Sequence, residues 1–146
     1  MKQDFMLEIA SDPRLLRVIR ELVRSYLIEA GFTSERVGEI VLGVDEACTN
    51  AIRHACGGEP DNTFCLTFRS SDSWLEIQLE DTGEPAPPDA FVRDEAPGPV
   101  KAADLRPGGL GVQLIHEVFD EVEFCPGTVQ GNCVTMKLRL PKKVKQ

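Results

Sequence analysis

Glu46-Ala47-Cys48-Thr49-Asn50-Ala51-Ile52-Arg53-His54 is the stretch on which the fold of this chain turns. Glu46, Asn50 and His54 recur at i, i+4 and i+8, so on a helix a carboxylate, an amide and an imidazole share one face. Beside them Val37, Ile40, Val41, Val44, Ala47, Cys48, Ala51, Ile52 and Ala55 form an aliphatic stripe at spacings of three and four. The segment therefore reads as an amphipathic helix, from Thr33 or Ser34 to the Gly57-Gly58 pair. A carboxylate and an amide oxygen one turn apart suit a hard cation such as Mg2+ and its bound water. The same spacing also describes an ordinary polar helix edge, and by itself does not separate the two.

Upstream, the short apolar run Phe5 to Ala10 reads as a strand. It stops at a helix start, with Ser11 or Asp12 as N-cap and Pro13 in the first helical position. Leu15, Leu16, Ile19, Leu22, Val23, Tyr26 and Leu27 then give a first amphipathic helix, ended by Gly31. Downstream, strands are expected over Thr63 to Ser70 and Trp74 to Asp81. Leu75, Ile77 and Leu79 alternate there with Glu76, Gln78 and Glu80, and Ser71-Asp72-Ser73 supplies the turn. From Thr82 to Gly109 six prolines and four glycines replace any periodicity. A loop of that length in a compact domain is either functional or disordered. A helix from Leu110 to Phe119 follows, then strands Val122 to Cys125 and Cys133 to Leu140 around Pro126-Gly127. The order β-α-α-β-β-loop-α-β-β predicts an α+β, two-layer α/β sandwich with a mixed, largely antiparallel sheet, not a doubly wound parallel one.

Composition narrows the function classes. The length of 146 residues, with 42% hydrophobic and 27% charged, is that of one ordinary soluble domain, expected over residues 1–146. Sixteen Lys+Arg against 24 Asp+Glu leave a net charge of −8, the wrong sign for a direct nucleic-acid binder. Five cysteines without a CxxC pair argue against a disulfide framework and a clustered zinc site. They are expected as buried structural thiols. His116-Glu117 lacks the second histidine of a zinc-protease motif, and His116 is expected at the helix surface. With no basic-apolar leader and no apolar run long enough for a bilayer, the expectation is a cytoplasmic protein without membrane attachment.

Two further signals flank the Pro-rich loop. Glu80-Asp81-Thr82-Gly83 puts a carboxylate at a strand end, where it can accept a hydrogen bond from a ligand amine, and Gly83 lets backbone come close. Gly108-Gly109-Leu110-Gly111 opens the third helix, where free backbone N–H groups bind phosphate. No Lys-Ser or Lys-Thr follows, so it is not a Walker A loop, and it lacks the third glycine of the dinucleotide fingerprint.

In this order the three signals resemble the motifs of the GHKL-type, Bergerat-fold (histidine-kinase-like) ATPases, and within them the anti-sigma factor serine/threonine kinases. Glu46 to Ala51 with His54 is similar to the N box, Asp81-Thr82-Gly83 to the first glycine box and Gly109-Leu110-Gly111 to the second. The resemblance runs from the first strand to the last and leaves no room for another domain. It implies ATP/ADP and Mg2+ as ligands, with Asn50 holding the metal and Glu46 acting as general base. By the same resemblance Asp81 accepts from the adenine amino group and Gly83 admits the ring. His54, Arg106, Gly108, Gly109, Leu110 and Gly111 complete the nucleotide site, and residues 84–107 form the ATP lid. The implied partners are an anti-sigma factor antagonist (STAS-type) protein as substrate, a sigma factor, and a second copy in a homodimer. Pro85 stands where other branches carry a second glycine, as in the anti-sigma branch. Arg106 is separated from Gly108 by Pro107, which grounds an alternative: a nucleotide-binding regulatory interaction module without kinase activity. Asn132 and Cys133 occupy the last-strand region where threonine is frequent, and no adenine contact is assigned there.

Overall fold

Asp12 turns the chain from strand to helix. Strand β1 (Lys2–Ala10) ends just before it, and its carboxylate accepts the Arg14 backbone N–H at 2.9 Å. Pro13 opens a 3-10 turn, Pro13–Leu15, that runs into helix α1 (Leu16–Glu29). The computed structural model describes residues 1–55, 62–81, 109–128 and 131–142. The expected helix stop at Gly57-Gly58 and the expected lid over residues 84–107 lie outside these.

Gly31 ends α1 as its position requires. Its φ is +97°, its N–H returns to the Ile28 carbonyl at 3.0 Å, and the Phe32 N–H returns to Leu27 at 3.2 Å. This is the paired closure of a helix by a left-handed residue. Thr33 then caps helix α2 (Ser34–Asn50), its Oγ1 accepting the Arg36 N–H at 3.3 Å.

Five strands form one sheet in the order β1-β2-β3-β5-β4, where β2 is Thr63–Ser70, β3 Trp74–Asp81, β4 Glu121–Thr128 and β5 Gly131–Arg139. Every neighbouring pair is antiparallel, which corrects the mixed component of the sequence expectation. The hairpin β4–β5 folds back so that β5 enters beside β3. The two strands running alike, β3 and β4, are thereby kept apart. β1 begins at Lys2, earlier than its apolar run, because polar residues at a sheet edge still pair through backbone, Lys2 opposite Ser70 and Gln3 opposite Arg69.

One face of the sheet carries the core. Phe64, Leu66 and Phe68 of β2, Leu75, Ile77 and Leu79 of β3, and Val134, Met136 and Leu138 of β5 are all buried. They pack with Ile19, Val23 and Leu27 of α1, with Val37, Ile40, Val41, Val44, Ala47 and Cys48 of α2, and with Ile115 and Val118 of helix α3 (Gly109–Val118). Phe5 stacks on Phe68 with centroids 4.4 Å apart, and Tyr26 meets both rings edge-on. The alternate residues, among them Glu76, Gln78, Thr135 and Lys137, make the second face polar. No described helix is long and apolar enough to cross a membrane.

Two glycines give opposite stability outcomes. A Cβ on either Gly31 or Gly38 would meet nothing within 4 Å, but only Gly31 has positive φ. Gly31→Ala is expected to lower unfolding free energy by about 1–2 kcal/mol through backbone strain. Gly38→Ala, in a helix interior, is expected to raise it by about 0.5–1 kcal/mol. Urea midpoints at constant m-value read both.

Candidate functional site

The last two turns of α2 carry Glu46 and Asn50, one turn apart and both half-buried, while Ala47 and Cys48 between them point into the core. Asp45 ties this turn to α1 through the Arg20 guanidinium at 2.9 Å, and Thr49 Oγ1 donates to the Asp45 carbonyl at 2.8 Å. The side chains of Glu46 and Asn50 make no hydrogen bond or ion pair with another described residue.

Beyond Asn50 the structure departs from the periodic reading. Ala51–Ala55 form a π-helical turn, so the regular α spacing that would align His54 with Glu46 and Asn50 does not continue. The Ala51 N–H already splits between the Ala47 and Cys48 carbonyls. Single π turns inside helices recur at functional sites, since they re-aim side chains without ending the helix. The His54 side chain lies outside the described part of the structure.

Helix α3 is laid closely on α2. A Cβ on Gly43 would come within 3.0 Å of Phe119 and 3.3 Å of Val118, and one on Gly111 within 2.7 Å of Glu46 Oε2. Arg36 Nη2 donates to the Val118 carbonyl at 2.6 Å, satisfying the C-terminal end of α3. The first and third sequence signals, Glu46 and Gly111, thus lie side by side. The backbone of Gly109 and Leu110 starts α3 as expected.

Asp81 closes β3 and is only 7% exposed. Its Oδ1 accepts two N–H groups of Asn132, the backbone N–H at 3.3 Å and Nδ2 at 3.2 Å. The register brings them together, with Asp81 opposite Asn132 across β3 and β5. The sequence reading assigned Asn132 no contact, and its pairing with Asp81 could not be found there because it needs the strand order. Gly83, Arg106 and Gly108 lie outside the described residues.

The remaining candidates are structural. Cys48 is fully buried, and burial, with a contribution from Asp45, pushes its thiol well up. Cys65 and Cys133 are only half-buried, which corrects the expectation of buried thiols. The Cys65 thiol is raised by partial burial and by the Glu8 and Glu80 carboxylates. His116 is half-buried, its ring 5.6 Å from that of Phe124.

A five-stranded antiparallel sheet under helices is the frame on which Glu46, Asn50, Gly111 and Asp81 stand. The chain belongs to the histidine kinase-like ATPase domain family, matched over residues 9–138. It is 28% identical over 127 residues to the serine-protein kinase RsbW of Listeria innocua, covering 84% of this chain and 80% of that one. Against RsbW of Halalkalibacterium halodurans identity is 34% over 110 residues, 73% of this chain and 65% of the relative. RsbW of Bacillus subtilis gives 28% over 118 residues, 80% and 74% respectively. Among solved structures, the RsbU and RsbW domains of Rv1364c from Mycobacterium tuberculosis superpose with a TM-score of 0.62 at 18% identity, covering 93% of this chain. This chain spans about a third of that one (32%), and the likeness supports the fold.

Asn132→Ala removes one of the two N–H groups on Asp81 and keeps the other. It is expected to weaken ADP binding about fivefold, corresponding to ~1 kcal/mol for one hydrogen bond. Isothermal titration measures this; an unchanged Kd would take Asn132 out of the site.

Proposed function

We propose that this chain is an ATP- and Mg2+-dependent serine/threonine protein kinase of anti-sigma type. The observation that carries the reading is the Glu46 carboxylate, one turn from Asn50, unpartnered among the described residues and set against the first turn of α3. The relatives named serine-protein kinase are covered to 80% and 74% of their length in the Listeria innocua and Bacillus subtilis proteins.

In this reading Glu46 accepts the proton of a serine hydroxyl as its oxygen attacks the γ-phosphate of ATP, and ADP leaves. Asp81 accepts a hydrogen bond from the adenine amino group, with Gly83 admitting the ring. The N–H groups of Gly108, Gly109, Leu110 and Gly111 face the phosphates, and residues 84–107 with Arg106 cover them. The donor set suits Mg2+, since Glu46 and Asn50 offer a carboxylate and an amide oxygen one helical turn apart. A cation there would rest on Asn50 and on substrate phosphates, the usual mode for Mg2+. When bound, the ion neutralises charge on the β- and γ-phosphates. His54 is assigned to the rim of the same site.

The substrate in this proposal is a serine of a small STAS-type anti-sigma factor antagonist. The second partner is a sigma factor that the kinase sequesters. A single domain over residues 1–146 acts as a homodimer in the cytoplasm, with no contact to nucleic acid or membrane.

The test incubates the chain with Mg·ATP and candidate antagonist proteins. Glu46→Gln is expected to cut transfer by about 10²–10⁴-fold, the range for losing a general base, with nucleotide affinity changed less than about threefold. Asn50→Ala is expected to abolish transfer and the Mg2+-dependent part of ATP affinity. Tight Mg·ATP binding with no transfer to any acceptor would instead establish the nucleotide-binding regulatory module without kinase activity.

A further inference from the structure

We infer that Gly111 is a positioning residue for the Glu46 carboxylate, beyond any hydrogen bond its backbone gives to phosphate. The inference rests on the reading of Glu46 as general base. A Cβ at position 111 would stand 2.7 Å from Glu46 Oε2, and 3.5 Å from both its Cβ and Cδ. The last two distances are ordinary contacts; the first is one that carbon and oxygen do not share. A single methyl group at this point therefore collides with the carboxylate, whose Oε2 is its nearest neighbour.

Which partner yields decides the consequence. Helix α3 is pinned at its far end, where Arg36 Nη2 holds the Val118 carbonyl at 2.6 Å and Gly43 lies against Val118 and Phe119. Backing the helix away from α2 would break that contact, which buries Val118 and Phe119 in the core. The Glu46 carboxylate, by contrast, is the end of a flexible side chain that no described residue holds. It is the group that moves. The chain folds with alanine at 111, but the carboxylate is turned off its line of approach to the hydroxyl. Only glycine leaves the fold and the base geometry both intact.

Four variants test this: Gly111→Ala, Glu46→Asp, the double variant, and Gly43→Ala as a control at the same helix contact. Single-turnover transfer to the acceptor protein found by the preceding assay, ATP Kd and melting temperature are measured for each. Gly111→Ala is expected to lower the transfer rate by about 10–100-fold, the scale of an ångström's misplacement, with ATP Kd within about threefold. In the Glu46→Asp background, where the shorter side chain clears the added methyl, the same substitution is expected to cost less than about threefold, a coupling that simple unfolding does not produce. Gly43→Ala is expected to lower the melting temperature and to change the transfer rate of the folded protein less than Gly111→Ala does. A wild-type rate in Gly111→Ala, a loss carried wholly by ATP Kd, or an equal cost in both backgrounds overturns the inference. Glu46→Gln with wild-type transfer overturns instead the reading of Glu46 as base, so the two failures are distinct.

Discussion

The close approach of α3 to α2 is the constraint from which the rest of the site follows. Two glycines make it possible, Gly43 under Val118 and Phe119 and Gly111 over Glu46, and Arg36 fastens the C-terminal end. Without a side chain at either point the helices come together on backbone, and the first turn of α3 lies against the carboxylate of Glu46. A helix N-terminus carries unsatisfied N–H groups and about half a positive charge. That end attracts the Glu46 carboxylate and, equally, a phosphate. The two anions are thereby drawn to one place, and a cation between them lowers their repulsion. In the proposed reading, this is the electrostatic ground for pairing an amide such as Asn50 with Mg2+ in preference to a second carboxylate, which would add a third negative group.

The other half of the site depends on a sheet rather than on a helix contact. Asp81 is nearly buried at the end of β3, and a carboxylate there is costly unless N–H groups face it. Asn132 supplies two to the same oxygen, from backbone and side chain, because β5 runs antiparallel beside β3 with the two residues opposite. A carboxylate held this way keeps one orientation. In the proposed reading, a carboxylate of fixed orientation meets a ligand amine with little reorganisation.

Most elements could be read from local chemistry, and the exceptions share a cause. The bounds of β2 and β3 and the caps at Asp12, Gly31 and Thr33 follow from alternation and capping, which are properties of neighbouring residues. The π turn over Ala51–Ala55 left no mark, since Ala-Ile-Arg-His-Ala suits either helix and five residues are too few to distinguish their periods. The start of β1 at Lys2 was hidden because edge pairing through backbone needs no apolar side chain. β4 and β5 extend past the expected ends at Cys125 and Cys133, through an irregular register between Cys125 and Thr128 that Pro126-Gly127 disguises as a turn. Of the candidate site, Glu46, Asn50, Asp81 and Gly111 were legible as motif positions. The partners that give them meaning, Asn132 for Asp81 and Glu46 for Gly111, were not, because both contacts join segments far apart in sequence.

The division of rigidity along α2 also has a functional logic. The turn that holds Glu46 is fixed on two sides, Asp45 by Arg20 of α1 and Ala47 and Cys48 by the core. A half-exposed ion pair such as Arg20–Asp45 adds little stability, so its effect lies in orientation. One residue after Asn50 the hydrogen-bond ladder widens into the π turn, where side chains are re-aimed. In the proposed reading the base therefore sits on the held turn, and the amide stands at the last regular position before the π turn. General-base catalysis tolerates little displacement of the proton acceptor, whereas an ion that keeps most of its waters and binds chiefly to phosphate tolerates more. The stiff turn carries the residue with the stricter geometric demand.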